Sequence, residues 1–351
     1  MADPSIPGSL RGAPAPTDEA QLDEYLSRPR HQTIEALAGL GGDILVLGAG
    51  GKMGLSFAAM AARSLQAAGD ASRRVIAVSR FHDGVRRFQQ AGVETIEADL
   101  LDPGALDALP DAPNVLYLAG MKFGSSGAQS LTWAMNVLLP GLVARRYPRS
   151  RIVALSSGNV YPFTHGVGSR EADEPGPVGE YAVTCLGRER LLEHGSRTAG
   201  TAVTLIRLNY ANALRYGVLV DICQQVLAGQ PVDVSMGSVN VIWQGDACAA
   251  ILASFGMAAS PPAVLNVAGP EQVRVRWVAE RFATLLGVPA PRIAGTEAPT
   301  AVLSDSSLMV ERLGAPDVPV EQLLSWTLDW VSSGKPLLGK PTGFQKRDGR
   351  F

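Results

Sequence analysis

The sequence predicts an α/β fold: a doubly wound parallel sheet of the Rossmann type with a smaller C-terminal α/β substrate region beside it. Three observations lead there: short runs that are apolar along their whole length, helix-length stretches between them, and a glycine-rich turn directly after the first run. A strand apolar at every position is buried on both faces, and parallel strands need long crossovers, which the intervening helices provide in the right-handed sense.

The strands in order are DILVLG (43–48), RVIAVS (74–79), VETIEA (93–98), NVLYLA (114–119), RIVALS (151–156) and AVTLIRL (202–208). Helices are expected over 53–67, 129–147 and 181–195. Beyond about residue 210 the alternation fades into a helix at 217–229, a short VDVSM segment, a helix at 245–257, the strand VLNVA (264–268) and a helix at 275–286. The division read from this is a flexible leader and helical arm (1–40), a dinucleotide-binding domain (41–210), and a substrate region (211–331) whose 240–268 stretch returns to the sheet. A Gly- and Lys/Arg-rich tail (332–351) reads as a solvated extension, although Phe344 and Phe351 give it the means to dock. In the arm, residues 18–40 read as short helices broken near Pro29, with Leu22, Tyr25 and Leu26 on one face.

The chain has 351 residues and a formal net charge of -2, so it has no electrostatic footprint for nucleic acid or an anionic membrane. No apolar run approaches the roughly 20 residues that span a bilayer. Three scattered cysteines, Cys185, Cys223 and Cys248, have neither disulfide nor metal-like spacing, which points to reduced cytoplasm.

The segment ILVLGAGGKMGLSFA (44–58) sets Gly48, Gly51 and Gly54 between strand and helix. Glycine suits a tight turn, lets a pyrophosphate approach backbone N–H groups at the helix N-terminus, and lets the helix pack closely on the strand. The second strand ends in Ser79-Arg80 instead of an acid for the ribose 2′-hydroxyl. A guanidinium there suits a 2′-phosphate, so NADP is favoured over NAD.

Seven landmarks in order, GAGGKMG, ADLLD, LAGMK, Asn136 in WAMNVLLPG, SSGNVYP, Tyr181 in YAVTCLGRE and Asp246 in VIWQGDACAAI, make the chain resemble the extended short-chain dehydrogenase/reductases, the family of NAD(P)-dependent sugar epimerases and dehydratases. The resemblance covers about residues 43–331. It implies cofactor contacts from Gly48, Gly51, Lys52, Met53, Gly54, Ser79, Arg80, Asp99, Leu100, Ala119, Gly120, Lys122, Asn136 and Tyr181. It also implies that Ser157 bonds the reacting oxygen and that Tyr181 carries its proton while hydride moves. A phenol has a pKa near 10, so a neighbouring cation must lower it.

In the family a lysine four residues after the tyrosine supplies that cation, and here Cys185 occupies the position. Lys122, on a loop that faces the cofactor in relatives, is one replacement, and His165 on a substrate-side loop is a second acid or base. A further departure is Val239, which stands where nucleotide-sugar members carry a diphosphate-binding arginine. The expected substrate is therefore a small carbohydrate-like alcohol or ketone, with Asn209, Asn212, Asn240 and Gln244 as hydroxyl partners. Two alternatives stand beside it: a nucleotide-sugar epimerase or dehydratase, and a non-catalytic NADP-binding or redox-sensing protein. A homodimer through the 129–147 and 181–195 helices is implied by the same resemblance.

Overall fold

A computed structural model of the chain describes residues 9–70, 72–81, 84–122, 124–125 and 127–350. Seven parallel strands form the main sheet: β1 (Ile44–Leu47), β2 (Val75–Ser79), β3 (Glu94–Glu97), β4 (Asn114–Tyr117), β5 (Arg151–Ser157), β6 (Val203–Leu208) and β7 (Ala263–Val267). Their spatial order is β7-β6-β5-β4-β1-β2-β3. Ile44 is in register with Val75 on one side and Asn114 on the other, so the chain reverses its winding between β1 and β4. A crevice opens at the carboxyl ends of the strands at such a reversal, and this fixes where a ligand can enter.

Alternation along each strand divides the core in two. Ile44 and Val46 join Leu116, Val153 and Ile206 beneath α2 (His31–Ala38), α3 (Gly54–Ala67) and α7 (Gln244–Ala253). Leu45 and Leu47 join Val115, Tyr117, Ile152 and Ala154 beneath α4 (Leu139–Arg146) and α5 (Glu180–Ala199). Both faces are covered at the centre of the sheet, which is why β1 and β2 are apolar along nearly all their length, whereas the edge strand β3 keeps exposed glutamates.

The segment expected as one helix over 129–147 is in fact Gln129–Trp133, a π-turn at Ala134–Leu138, and α4. Pro140 has no N–H for the regular helical ladder, and a π-turn often sits where a side chain must be re-aimed. Here that side chain is Asn136, fully buried, whose amide accepts from Met121 N (2.8 Å) and donates to Met121 O (2.9 Å). A one-residue bulge leaves no mark in hydrophobic periodicity.

A separate core holds the C-terminal region, residues 211–331. It gathers α6 (Val218–Leu227), α8 (Val275–Leu286), α9 (Val320–Ser332) and α1 (Glu19–Leu26), the last through Leu22, Tyr25 and Leu26. Tyr25 packs tilted against Trp326, which meets Trp243 edge to face, with ring centroids 5.5 and 5.4 Å apart. Arg30, between α1 and α2, pairs with buried Asp246, which also accepts from Val318 N at 2.9 Å. Burial pushes the Asp246 carboxyl up to about 6 against the pull of Arg30. The landmark Asp246 is thus a tie between the arm and α7.

The tail does not extend into solvent over its described length. Thr342 and Phe344 are buried, and Phe344 joins the C-terminal core. The first eight residues of the leader and Phe351 lie outside the described residues. Among the described residues no helix is long and apolar enough to cross a membrane.

Candidate dinucleotide and active site

The turn after β1 has the form a dinucleotide requires. Gly48 has φ +85°, and a Cβ there would lie 2.5 Å from Ala119 N at the end of β4. At Gly54 a Cβ would lie 1.8 Å from Ala49 O, so only glycine lets α3 start against the strand. Gly51 is different: its Cβ would meet nothing closer than 3.6 Å, which leaves room above the turn. Gly50, absent from the motif reading, is constrained too, because a Cβ would meet Ser79 Oγ at 2.4 Å. The glycines, the N-terminus of α3 with Lys52 and Met53, and the open space at Gly51 fit a pyrophosphate.

At the end of β2, where the sequence reading expects the adenosine, Arg80 is 60 % exposed and stands 3.6 Å from the Asp99 carboxylate. Asp99 also accepts from Leu101 N at 3.0 Å, and Leu100 is buried beside it. On the other side of the crevice, Ala119, Gly120 and Met121 lead to Lys122. A Cβ on Gly120 would meet the Arg188 guanidinium at 2.4 Å.

Ser157 ends β5, where its Oγ accepts from Asn159 N at 3.2 Å. Tyr181 lies in the first turn of α5, hydrogen-bonded to Ser157 and to Cys185. Burial first, and then the Cys185 side chain, push the phenol well above its usual range, while Arg188 and Ser157 pull it down. Cys185 is fully buried among Val160, Tyr161 and Tyr181, and burial raises its thiol. The Lys122 ammonium is 5.8 Å from the Tyr181 ring centroid. Burial lowers Lys122 to about 8, with Cys185 and Asp221 opposing the shift. The structure therefore brings Ser157, Tyr181, Cys185 and Lys122 into one group. His165 is exposed on a loop that bridges to Ala301 through Thr164.

Sequence reasoning missed Arg188. It is buried seven residues after Tyr181, two turns along the same helix face, and donates to Leu155 O and, at 2.9 Å, to Asn136 Oδ1. Basic residues at two-turn spacing from the tyrosine were the available signal. Behind it, Glu189 and Arg207 form a buried ion pair at 2.8 Å, with Ser156 Oγ donating to Glu189 at 2.6 Å and Arg207 donating to Tyr161 Oη at 2.8 Å. This network ties α5 to β5 and β6, so the Tyr181 helix is held by charge as well as by packing.

A second group gathers around Lys52, and of its members the sequence reading named only the two lysines, Lys52 and Lys122. The Lys52 ammonium lies 3.4 Å above the Tyr216 ring, and burial, Lys122 and Lys340 lower it to about 7. Asp221 on α6 accepts from Thr342 N (2.8 Å) and Oγ1 (2.6 Å), and burial raises its carboxyl. The four amides expected to bind hydroxyls bond to the chain itself. Asn209 donates to Asn240 (3.0 Å), Asn240 to Ser304 O (2.6 Å), Asn212 to Tyr210 O (2.5 Å) and Gln244 to Ser56 Oγ (3.0 Å), and all four are buried.

No curated protein matches the sequence. Solved structures do share its fold. MoeE5 in complex with UDP-glucose and NAD is 23 % identical with a TM-score of 0.67, covering 84 % of this chain and 99 % of that one. The UDP-glucose 4-epimerase of Thermotoga maritima, with UDP-glucose, is 17 % identical with a TM-score of 0.69, over 83 % and 99 %. The UDP-glucuronic acid 4-epimerase of Bacillus cereus, with NAD, is 18 % identical with a TM-score of 0.68, over 83 % and 99 %. The model of the NAD dependent epimerase/dehydratase family matches residues 44–240, more than half of the chain, and its span includes the glycine turn, the Ser157–Tyr181 pair and Arg188. With the site geometry and this match together, the chain belongs to the NAD dependent epimerase/dehydratase family.

Proposed function

We propose that the protein is an NAD(P)-dependent epimerase or dehydratase of nucleotide sugars, with Tyr181 as proton carrier, Ser157 as its hydrogen-bond partner, and Lys122 as the cation in place of the lysine absent at Cys185. The observation that carries this reading is the Ser157–Tyr181 pair, facing the Lys122 ammonium beside a glycine turn fit for a dinucleotide. When bound, the nicotinamide accepts or returns a hydride. Loss of hydride from a carbinol carbon leaves positive character that concurrent proton loss from its oxygen relieves, and Tyr181 Oη takes that proton. Burial and the Cys185 side chain oppose the phenolate, Arg188 opposes them, and the Lys122 ammonium, 5.8 Å from the ring, adds to the positive field.

Two observations favour a nucleotide sugar over a free sugar. The amides expected to recognise free hydroxyls bond within the chain. The crevice instead collects Lys52 and Lys122, and proteins of the same fold are seen with UDP-sugars. NADP is preferred to NAD because Arg80 stands exposed at the end of β2. A redox-sensing role is disfavoured by Cys185, since a sensor thiol needs thiolate character and access, and this one has neither. A homodimer through α5 and the Gln129–Trp133 to α4 segment is supported by exposed Leu131, Trp133, Leu138 and Val183. Light scattering that reads a monomer at micromolar protein removes it.

The test is isomer exchange by NMR, and absorbance at the reduced nicotinamide band, with UDP-glucose, TDP-glucose and free glucose. Turnover is expected with a nucleotide sugar. Tyr181→Phe should lower kcat by about 10²–10⁴-fold while leaving cofactor affinity intact. A fully active phenylalanine variant removes Tyr181 as proton carrier.

A further inference from the structure

Position 239 lacks the arginine that the family resemblance assigns to diphosphate binding, and the fold shows that the position has no access to a ligand in any case. Val239 is fully buried in the C-terminal core, in a two-residue ladder with Val273. A guanidinium from elsewhere in the chain, that of Arg347, stands on the segment that touches both Lys122 and the start of α5.

The C-terminal segment runs past Arg215, Asp221 and Lys122 to the start of α5. Leu338 N donates to Arg215 O at 2.9 Å, Thr342 is fastened to Asp221 on α6, and the Lys122 ammonium donates to Thr342 O at 3.5 Å. Further on, Gly349 lies against Val178 and Gly179, where a Cβ would meet Val178 O at 2.2 Å, just ahead of Tyr181. The segment thus joins the C-terminal region to the start of the catalytic helix. Between these fastenings lies Arg347. Its guanidinium stacks 4.2 Å over Phe163 and donates to Thr300 O (2.7 Å) and Thr300 Oγ1 (2.6 Å). It also lies 3.5 Å from the sulfur of Met236, three residues before Val239 on the same stretch of chain.

Both acceptors are neutral, and among the described residues no carboxylate pairs with Arg347. A guanidinium carries five donors in a planar fork suited to phosphate oxygens, and stacking on an aromatic face holds its plane. A half-buried arginine held by neutral groups keeps a positive charge that no carboxylate within reach among the described residues compensates.

We propose that Arg347 is the specificity-determining cation of this site: the C-terminal segment delivers it to hold the diphosphate of a nucleotide sugar, replacing the arginine missing at position 239. This rests on the nucleotide-sugar reading above and names the residue that selects for it. The neighbouring Lys346, whose charge reaches Lys122, adds to the same field.

The experiment titrates the cofactor-loaded, full-length protein with UDP, TDP and free glucose by calorimetry, for wild type and for Arg347→Gln and Arg347→Lys. Arg347→Gln retains a donor for Thr300 and an atom plane over Phe163, and it loses the charge. It should bind the nucleoside diphosphate about 10–100-fold more weakly, the range of one or two charge-assisted contacts, with Arg347→Lys in between. Amide hydrogen exchange at Thr342 and Phe344 should match wild type, which separates lost recognition from a detached tail. Unchanged diphosphate affinity in Arg347→Gln overturns the assignment and leaves the nucleotide-sugar reading standing. Loss of affinity accompanied by loss of protection at Thr342 and Phe344 also overturns it, since the residue then only fastens the segment. If wild type binds neither diphosphate and turns over free glucose, the nucleotide-sugar reading fails and this proposal with it.

Discussion

The two halves of the site are built in opposite ways. The dinucleotide side is made by neighbours in sequence: β1, the glycine turn and the start of α3 span residues 44–58, and Gly48, Gly50 and Gly54 each answer to a close contact, with Ala119, Ser79 and Ala49. The opposite side is made by residues far apart in sequence, with Phe163, Met236 and Thr300 meeting at Arg347 and Asp221 meeting Thr342. A local site is legible as a motif because geometry and sequence spacing coincide. An assembled site leaves no such trace, and its residues read as unrelated loop positions.

The sharpest break of this contrast is Gly54→Ala. A Cβ there falls 1.8 Å from Ala49 O, a backbone atom that cannot rotate away. Loss of about 1–3 kcal/mol of stability is expected, along with most cofactor binding, whereas Gly51→Ala should cost little stability and chiefly weaken the cofactor. Denaturant unfolding and cofactor titration of the two variants compare them, and equal unfolding midpoints would undo the distinction.

On the assembled side, Phe344→Ala removes the aromatic anchor of the C-terminal segment. Burying such a side chain contributes about 1.5–3 kcal/mol, so amide protection at Thr342 should fall by roughly one to two orders of magnitude. The dinucleotide loop should keep its protection. Loss of protection in both places would show that the halves are one cooperative unit.

Charge links the two. Lys52 comes from the local turn, and its lowered value near 7 reflects burial together with Lys122 and Lys340, with Asp221 opposing. A lysine whose folded pKa is depressed binds fewer protons folded than unfolded between about 7 and 10.5, so its contribution makes stability rise with pH through that window and fall again as pH drops toward 7. An anion in the crevice favours the protonated forms of Lys52 and Lys122. Net proton uptake is therefore expected when the cofactor binds at pH 8, read by calorimetry in buffers of different ionisation enthalpy. Identical apparent enthalpies in two such buffers would contradict it.

The smallest effect concerns Arg80. Since it is 60 % exposed, Arg80→Ala should weaken NADP by about 1 kcal/mol, near fivefold, and leave NAD unchanged. An equal effect on both cofactors would make Arg80 a general surface charge.

What the sequence determined by itself was the sheet, the glycine turn and the Ser157–Tyr181 pair, because periodic burial and tight turns are written in adjacent residues. The break at Pro29 and the apolar face of α1 were legible for the same reason. It also exposed two missing cations, at Cys185 and Val239, since absence from a motif is visible. Only the tertiary structure decided what stands near those gaps. Lys122 approaches Tyr181 from the loop after β4, Arg188 does so from two turns along α5, and Arg347 arrives on a tail whose composition reads as solvated. Charge acts through space, and a buried polar group accepts any partner the fold brings within reach, so the identity of that partner is a property of packing and not of spacing along the chain.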